Sequence, residues 1–406
     1  MQRSLAQQVD TLKNAPSSGG IVMFINDFLF SGLDYHNVEK KQRLYIPIVY
    51  EFFPINTLEG FVTRLNATFV QEEDEGRFFQ ISPTLRYGFG NERIQGELAT
   101  LVQYAKEHKG FLGISGGRNV WQINHNSNLS AFNNGFATYA LRENFLKIYE
   151  RQFVELYHSI APIKDLFVST TVSFEERSPL NNLQRYEEDE DFTSNDPLNR
   201  QLASTAFEEH QAFLWKVELK WQKEHRYERK KTKMLSRSSY PALSISYQGA
   251  TKDILGSDLS FQRISAKWHH LFTTQKWGRT EYLIEGGDFI NADELRFIDY
   301  KHFNGKLTMY GRFDVGDFQL LDYYLYSTTK AYIQGHFEQS FLPWALYKER
   351  IIPVMQANFL AMQGEAPYME WGVGLDKVYL KWRIDVYASW RGGSYESFGL
   401  RFGVVN

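Results

Sequence analysis

One motif in the chain has the form of a hydrolase nucleophile site. Residues 113–117 read GISGG, which matches the pattern G-x-S-x-G. In a hydrolase the serine of this motif stands on a sharp turn between a strand and a helix. Here RNVWQIN follows the motif, and its residue types predict more strand. We therefore expect Ser115 to lie within a strand, where it would not act as a nucleophile.

The sequence excludes thiol chemistry and gives little indication of a metal site. The chain has 10 His and no Cys, which excludes disulfides, thiolate metal sites and a cysteine nucleophile. His269 and His270 are adjacent, but successive strand residues point to opposite faces of a sheet. His302 and His336 are candidates to approach each other across strands. No H-E-x-x-H, Walker or EF-hand pattern accompanies them, so the sequence predicts no enzyme, no cofactor and no metal site.

The elements that must position these residues are strands, because the dominant pattern is an alternation of apolar and polar residues. From Val378 to Trp390 every second residue is apolar, while Arg383 and Asp385 belong to the opposite set. Such a pattern is what a strand with one apolar and one polar face requires. The same period recurs at 61–69, 79–87, 213–221, 307–315 and 398–404.

The polar face of these strands is repeatedly charged. An unpaired charge in a packed core costs on the order of several kcal/mol, whereas a water-filled lumen tolerates it. The chain also has 32 Phe, 24 Tyr and 9 Trp, which suits the aromatic girdles of a membrane barrel. The sequence therefore predicts an all-β fold, a transmembrane antiparallel β-barrel in the cell outer membrane, with about 16 strands (roughly 14–18).

The predicted domain organisation is simple. No linker divides the chain, so we expect one barrel domain over 21–406, preceded by a polar, mobile segment at 1–20. This first segment has no apolar core of the kind found in signal peptides. The net charge of −3 gives no basic field for nucleic acid, and we expect no nucleic-acid partner.

Six segments, spread in order along the chain, carry a family resemblance. They read FFPINTLEGF at 52–61, NFLKIYERQF at 144–153, SYPALSISY at 239–247, DYKHFNG at 299–305, YSTTKAYIQGHFEQSF at 326–341 and MEWGVGLDKVYLKWRIDVYASW at 369–390. They resemble a family of outer-membrane barrels of unknown function from Bacteroidota. Its members usually follow a carboxypeptidase-regulatory-like domain. The resemblance makes the following residues candidate turn or lumen residues: Asn56, Glu59, Gly60, His302, Phe303, His336, Glu338, Arg383 and Asp385.

The last third of the chain is also distantly similar to the outer-membrane assembly and two-partner secretion superfamily. The similarity rests on Gly372 and Gly374, then on Arg383 and Asp385, then on a closing strand. Residues 317–327 are comparable to a loop that folds into the lumen in that superfamily. They lack the Arg-Gly pair of that loop.

Three functions stay open at this point. The superfamily likeness favours a non-enzymatic barrel in assembly, export or surface presentation of proteins, with the lipid bilayer and outer-membrane or periplasmic proteins as partners. The charged alternating face also suits a channel or solute-uptake barrel. A plugged scaffold barrel that carries a partner is the third possibility. A soluble β-sandwich or β-propeller is the architectural alternative; a propeller should show a repeat of roughly 40–50 residues, and none is found.

Overall fold

The computed structural model describes residues 32–47, 55–73, 77–127, 129, 131–184, 192–223, 226–229, 232–235, 240–306, 308–346, 349–379 and 381–404. Contacts divide the chain into two compact units. The first holds the described residues up to Leu156 together with Glu176–Asn195, and the second holds Tyr157–Glu175 and those from Asp196 onward. Segment 1–20 lies outside the described residues, so the predicted division at residue 20 stays a prediction. No helix in the described part is long and apolar enough to cross a membrane.

The described residues of the first unit form an antiparallel sheet and include one helix. Its strands are β1 (Leu33–Asn37), β2 (Gln42–Ile46), β3 (Ile55–Asn56), β4 (Gly60–Asn66), β5 (Thr68–Glu72), β6 (Phe78–Gly88), β7 (Arg93–Ala105) and β8 (Gly110–Gln122). Strand β2 pairs with β1 and β5, and β6 pairs with β4, β5 and β7. Strand β8 pairs with β7. Helix α1 (Ala131–Leu141) packs against β3.

Two long strands, β9 (Ile148–Ile163) and β10 (Leu166–Pro179), contribute residues to both units. The second unit continues with β11 (His210–Gln222), β12 (Arg226–Arg229), β13 (Thr232–Leu235), β14 (Ala242–Ala250), β15 (Ser260–Thr274), β16 (Gly278–Glu294), β17 (Tyr310–Arg312), β18 (Tyr332–Ser340), β19 (Trp344–Leu346), β20 (Glu349–Met362), β21 (Tyr368–Asp376), β22 (Trp382–Arg391) and β23 (Ser394–Val404). Short 3₁₀ turns lie at Ile254–Gly256 and Phe297–Asp299.

The second unit has a simple pairing order. Strands β11, β14, β15, β16, β18, β20, β21, β22 and β23 pair antiparallel, each with the next. The short β17 pairs with the last strand β23 in parallel. Most neighbouring strands also follow one another along the chain, as antiparallel hairpins allow. The predicted all-β antiparallel fold is confirmed.

Burial along these strands is inverted relative to a soluble protein. On β22, Arg383 and Asp385 are 1% and 2% exposed. The residues that alternate with them, Trp382 and Ile384, are 40% and 37% exposed. Soluble proteins bury their apolar residues and expose their charges. The face of the sheet that carries the charges is therefore the covered one, and the apolar face is open.

Three predicted strands need correction. The strand predicted at 61–69 is divided at Ala67 into β4 and β5. The strand predicted from Val378 begins at Trp382, because the N–H of Trp382 bonds to the carbonyl of Tyr379 and closes a turn first. The stretch predicted at 307–315 is not a spanning strand, since among its described residues, 308–315, only the three-residue strand Tyr310–Arg312 forms, and it pairs in parallel. The number of strands is not fixed by the structure, because short strands such as β4 and β5 pair with the same strand β6.

Candidate functional site

The covered part of the second unit lies under one long connection. We call residues 297–328, which join β16 to β18, the cover segment; Leu307 within it lies outside the described residues. Phe318, Gln319 and Thr328 of this segment have no exposed surface. A connecting loop normally runs over the surface, because buried backbone must find hydrogen-bond partners. Some of these bonds lie within the segment, as between Phe318 and Asn304, and others go to polar side chains of the sheet.

A single carboxylate holds the middle of the cover segment. The backbone N–H groups of Gln319 and Leu320 donate to the two oxygens of Glu370, at 2.5 Å and 2.8 Å. Asn358 and Tyr368 donate to the same carboxylate at 2.6 Å and 2.8 Å. Glu370 lies on β21 and is fully buried. Four donors around one carboxylate satisfy it as fully as a buried charge requires.

An aromatic cluster packs beside this carboxylate. The ring of Phe318 meets the imidazole of His336 at 4.6 Å between centroids and the ring of Tyr368 at 5.9 Å, both edge to face. Leu321 and Tyr326 of the cover segment pack in the same buried cluster. The cover segment therefore binds the sheet through both apolar packing and hydrogen bonds.

A second buried network lies on β18 and β22. Arg383 donates from Nε to both oxygens of Asp385, at 2.9 Å and 2.8 Å, and from Nη1 to Glu338 at 2.7 Å. Tyr387 donates to Asp385 at 2.7 Å. The guanidinium also lies 4.5 Å above the ring of Phe313 in the cover segment. One buried cation thus links two strands and the cover segment, in the paired state that burial demands.

Two glycines on β21 make room for this network. A Cβ on Gly374 would lie 1.7 Å from Oδ1 of Asp385, and a Cβ on Gly372 would lie 2.1 Å from the ring of Tyr387. These residues are direct partners across β21 and β22. Side chains of β22 therefore lie over the backbone of β21, which only glycine permits.

Three basic side chains make further contacts that anchor the cover segment. Lys301 forms an ion pair with Glu285 of β16. Arg401 of β23 donates from Nε to the carbonyl oxygen of Gln319 at 2.8 Å. Lys306 donates to Oε1 of Gln319 at 3.1 Å, and burial lowers the pKa of its ammonium group to about 8. These contacts hold the cover segment in place. The carboxylates of Glu370, Glu285, Glu338 and Asp385 all accept hydrogen bonds or form ion pairs within this arrangement.

Comparison with known proteins identifies the family. Residues 26–375 match a family described as "Family of unknown function (DUF5686) C-terminal domain". The chain belongs to this family. No curated protein sequence matches the chain.

Several solved structures are similar to this DUF5686 C-terminal domain. BamA from Haemophilus ducreyi lacking POTRA domains 1–3 has 9% identity and a TM-score of 0.48, covering 97% of this chain and 80% of that one. CdiB from Acinetobacter baumannii has 12% identity and a TM-score of 0.41, covering 86% and 57%. A mutant of the Rh. blastica porin has 8% identity and a TM-score of 0.35, covering 84% and 89%. At these sequence identities and TM-scores, the similarity is no evidence for the activity of this chain.

The candidate histidines of the DUF5686 domain have separate partners. His302 lies in the cover segment, where its Nδ1 is 2.8 Å from Oγ of Ser327. His336 lies on β18, where its Nδ1 is 2.9 Å from Oδ1 of Asn358. Phe303 belongs to the aromatic cluster. Within the described ranges, no group of three or more His, Asp or Glu side chains is placed to hold a metal ion.

The candidate residues near the start form a buried turn between β3 and β4. Oδ1 of Asn56 accepts from the backbone N–H of Leu58 at 2.9 Å and of Glu59 at 2.8 Å. Glu59 accepts from Nε of Arg86 at 2.8 Å. Gly60 has a φ of 69°, which favours glycine. These residues shape a turn in the first unit.

The remaining sequence motifs have structural surroundings. Gly113–Gly117 lies within the continuous strand β8, so Ser115 is not at a strand-to-helix turn. His269 lies 2.9 Å from Glu281, while His270 lies 3.2 Å from the hydroxyl of Tyr282. The two histidines therefore face different neighbours, as expected for adjacent strand residues.

Sequence reasoning missed the anchors of the cover segment. Glu370 and Glu285 each lie on the polar side of an alternating strand, but many carboxylates share that property. Glu370 stands two residues before Gly372 and four before Gly374, on the same face of β21. That position beside two glycines is the local signal that distinguishes Glu370, and the predicted site residues do not include it.

Proposed function

We propose that this chain is an integral outer-membrane β-barrel without enzymatic activity that acts on or with other proteins, in their assembly, export or surface presentation. The observation that supports it is the inverted burial of the strands. On β21, Trp371 and Val373 are 53% and 58% exposed, while Glu370 between Met369 and Trp371 has no exposed surface. An apolar face this extensive suits lipid, and a polar face suits the inside of a barrel.

The length of the apolar face fits a bilayer. On β22 the exposed side runs from Trp382 to Trp390 through Ile384, Val386 and Ala388. At about 3.3 Å per residue this stretch is about 26 Å long. A strand tilted by about 40° would then cover about 20 Å of membrane thickness, close to the apolar band of roughly 25 Å in outer-membrane barrels.

The cover segment supports a role with protein partners over free diffusion of solutes. It occupies the polar side of β16 to β23 through the clamp at Glu370 and the contacts of Arg383 and Arg401. A solute pore needs that side open to water. A barrel whose interior is partly filled by its own chain suits a scaffold or a regulated passage for protein.

A channel is the second candidate, and one observation favours it. Several lysines and arginines lie on the polar face of β11 and β15. In the strand register, Lys220 of β11 is opposite Ser244 of β14, and Ser244 is opposite Lys267 of β15. Lys267 is in turn opposite Glu285 of β16. Arg263 and Lys216 lie on the same face. Basic side chains on a polar face can line a water-filled path for anions.

The test is purification of the protein from native membranes in mild detergent, followed by mass spectrometry of the proteins that co-elute. We expect recovery from the outer-membrane fraction, with periplasmic or outer-membrane proteins in stoichiometric amounts. The matched measurement is conductance of the purified protein in a planar bilayer. Steady conductance without partners would replace the proposal by the channel. Neither partners nor conductance would leave a plugged scaffold.

Two further expectations come from the family resemblance. We expect the source to be a member of the Bacteroidota and a carboxypeptidase-regulatory-like domain to accompany the barrel. The mass of the native protein, measured in the same preparation, tests the second expectation directly.

A further inference from the structure

The exposed apolar face of the second unit contains a groove. It has a volume of about 420 Å³ and runs across β16, β18, β20 and β21. Its walls include Tyr282, Phe337, Phe359 and Trp371, and its lining is almost entirely apolar. This groove lies on the side of the sheet opposite to the cover segment, since Trp371 follows the buried Glu370 along β21.

The pairing register explains the groove. In one row across the sheet, Ile284, Gly335, Phe359 and Met369 are successive partners. In the next row, Tyr282, Phe337, Ala357 and Trp371 are successive partners. Each row has one small residue between large ones, and the small residues stand on neighbouring strands. The groove is therefore a diagonal gap above Gly335 and Ala357, bordered by aromatic side chains.

The size of the groove decides what can occupy it. A helix with its side chains is about 10–12 Å wide, and a stable protein contact buries roughly 800 Å² on each partner. A volume of about 420 Å³ is at the lower end of small-molecule sites. An almost wholly apolar lining offers nothing to a polar ligand. A narrow, flexible hydrocarbon chain fits both the volume of the groove and its apolar lining.

We infer that this groove binds one acyl chain of a membrane lipid. The inference rests on the proposed membrane location, because the groove is continuous with the apolar face that lipid would surround. Aromatic walls hold the chain through packing area, which aromatic residues provide in quantity. The site gives the barrel a fixed lipid contact on β16 to β21, distinct from the exchanging lipids along the rest of the face.

Gly335 provides a clean test of the site. A Cβ at this position would meet nothing within 4 Å, so Gly335→Leu fills the groove without disturbing the strand. Gly286 on β16 is a matched control, because its Cβ would make only ordinary contacts and it does not line the groove. Ala357→Leu fills the other half of the groove and tests the same site should Gly335→Leu fail to fold.

The experiment uses the full chain in vesicles of phosphatidylethanolamine and phosphatidylglycerol that contain a phospholipid with a photoactivatable diazirine on its acyl chain. Labelled residues are located by mass spectrometry. We expect labelling concentrated on Phe359 and Trp371, above that of Val386 and Leu400 on the same face. Filling the groove displaces a few methylene groups, so Gly335→Leu should lower this labelling about tenfold, and Gly286→Leu should leave it unchanged.

Each other outcome overturns a defined claim. Uniform labelling of the apolar face that Gly335→Leu does not change would reject the site while leaving the membrane location intact. Labelling absent from the whole apolar face would reject the membrane location and the site together. Cross-links from groove residues to another protein in native membranes, with no lipid adduct, would replace the acyl chain by a protein partner.

Discussion

Replacing Glu370 by Gln tests whether one carboxylate holds the cover segment in place. The carboxylate accepts four hydrogen bonds, two of them from the backbone of Gln319 and Leu320. A glutamine has the same shape, but one of its terminal atoms is a donor and cannot accept. At least one backbone N–H would then face an N–H group in a buried site.

The expected cost follows from the hydrogen bonds that are lost. A hydrogen bond to a charged group contributes about 1.5–3 kcal/mol, and a buried unsatisfied donor costs about 1–3 kcal/mol. We expect Glu370→Gln to lower the free energy of local opening of the cover segment by about 2–4 kcal/mol. Amide exchange at Gln319 and Leu320 should therefore quicken by roughly 30- to 1000-fold.

Hydrogen–deuterium exchange with mass spectrometry on the full chain in lipid nanodiscs measures this change. Peptides that contain Gln319 should exchange faster, while peptides of Tyr332–Ser340 should not change. Glu281→Gln is the matched control, because Glu281 pairs with His269 and Arg279 of the sheet and not with the cover segment. Equal exchange at Gln319 in wild type and Glu370→Gln would refute the assignment of Glu370 as the anchor.

Two further predictions concern the glycine pair and the buried lysine. Gly374→Ala places a Cβ 1.7 Å from Asp385, so the melting temperature in detergent should fall, and the double variant Gly374→Ala with Asp385→Ala should fall less than the two single changes added together. Burial lowers the pKa of Lys306 from 10.5 to about 8 in the closed segment. Between these two pH values the opened segment therefore binds more protons than the closed one. Opening of the cover segment should therefore become harder as pH rises from about 8 to 10, as measured by amide exchange corrected for its intrinsic pH dependence. Lys306→Met should remove this dependence, and a wild-type protein without it would contradict the prediction.

The strands were predictable from the sequence because their signal is local. Alternation over 213–221 or 398–404 needs only neighbouring residues, and it correctly assigned Arg383 and Asp385 to the face opposite Ile384. The same local signal failed at 307–315. There the alternation belongs to a segment that packs on the polar face and pairs only briefly with β23.

The contacts that anchor the cover segment were not predictable from alternation, because the two partners of each contact are distant in sequence. Gln319 meets Glu370 across fifty-one positions, and Arg401 meets Gln319 across eighty-two. Alternation shows which face a side chain occupies but not which backbone lies above it. His302 and His336 illustrate the same limit, since both are polar-face candidates and each has its own partner.

The most direct test of the central claim is the reactivity of a single cysteine on the apolar face. The native chain has no cysteine, so Val373→Cys introduces one thiol on β21, and Glu107→Cys introduces one in an exposed turn between β7 and β8 as the control. A water-soluble maleimide is added to outer-membrane vesicles that mild lysis has opened, so that it reaches both membrane faces. We predict that Glu107→Cys reacts and that Val373→Cys reacts only after unfolding. Full reaction of Val373→Cys in the folded, membrane-bound protein would contradict a lipid-facing position for the apolar side of the sheet.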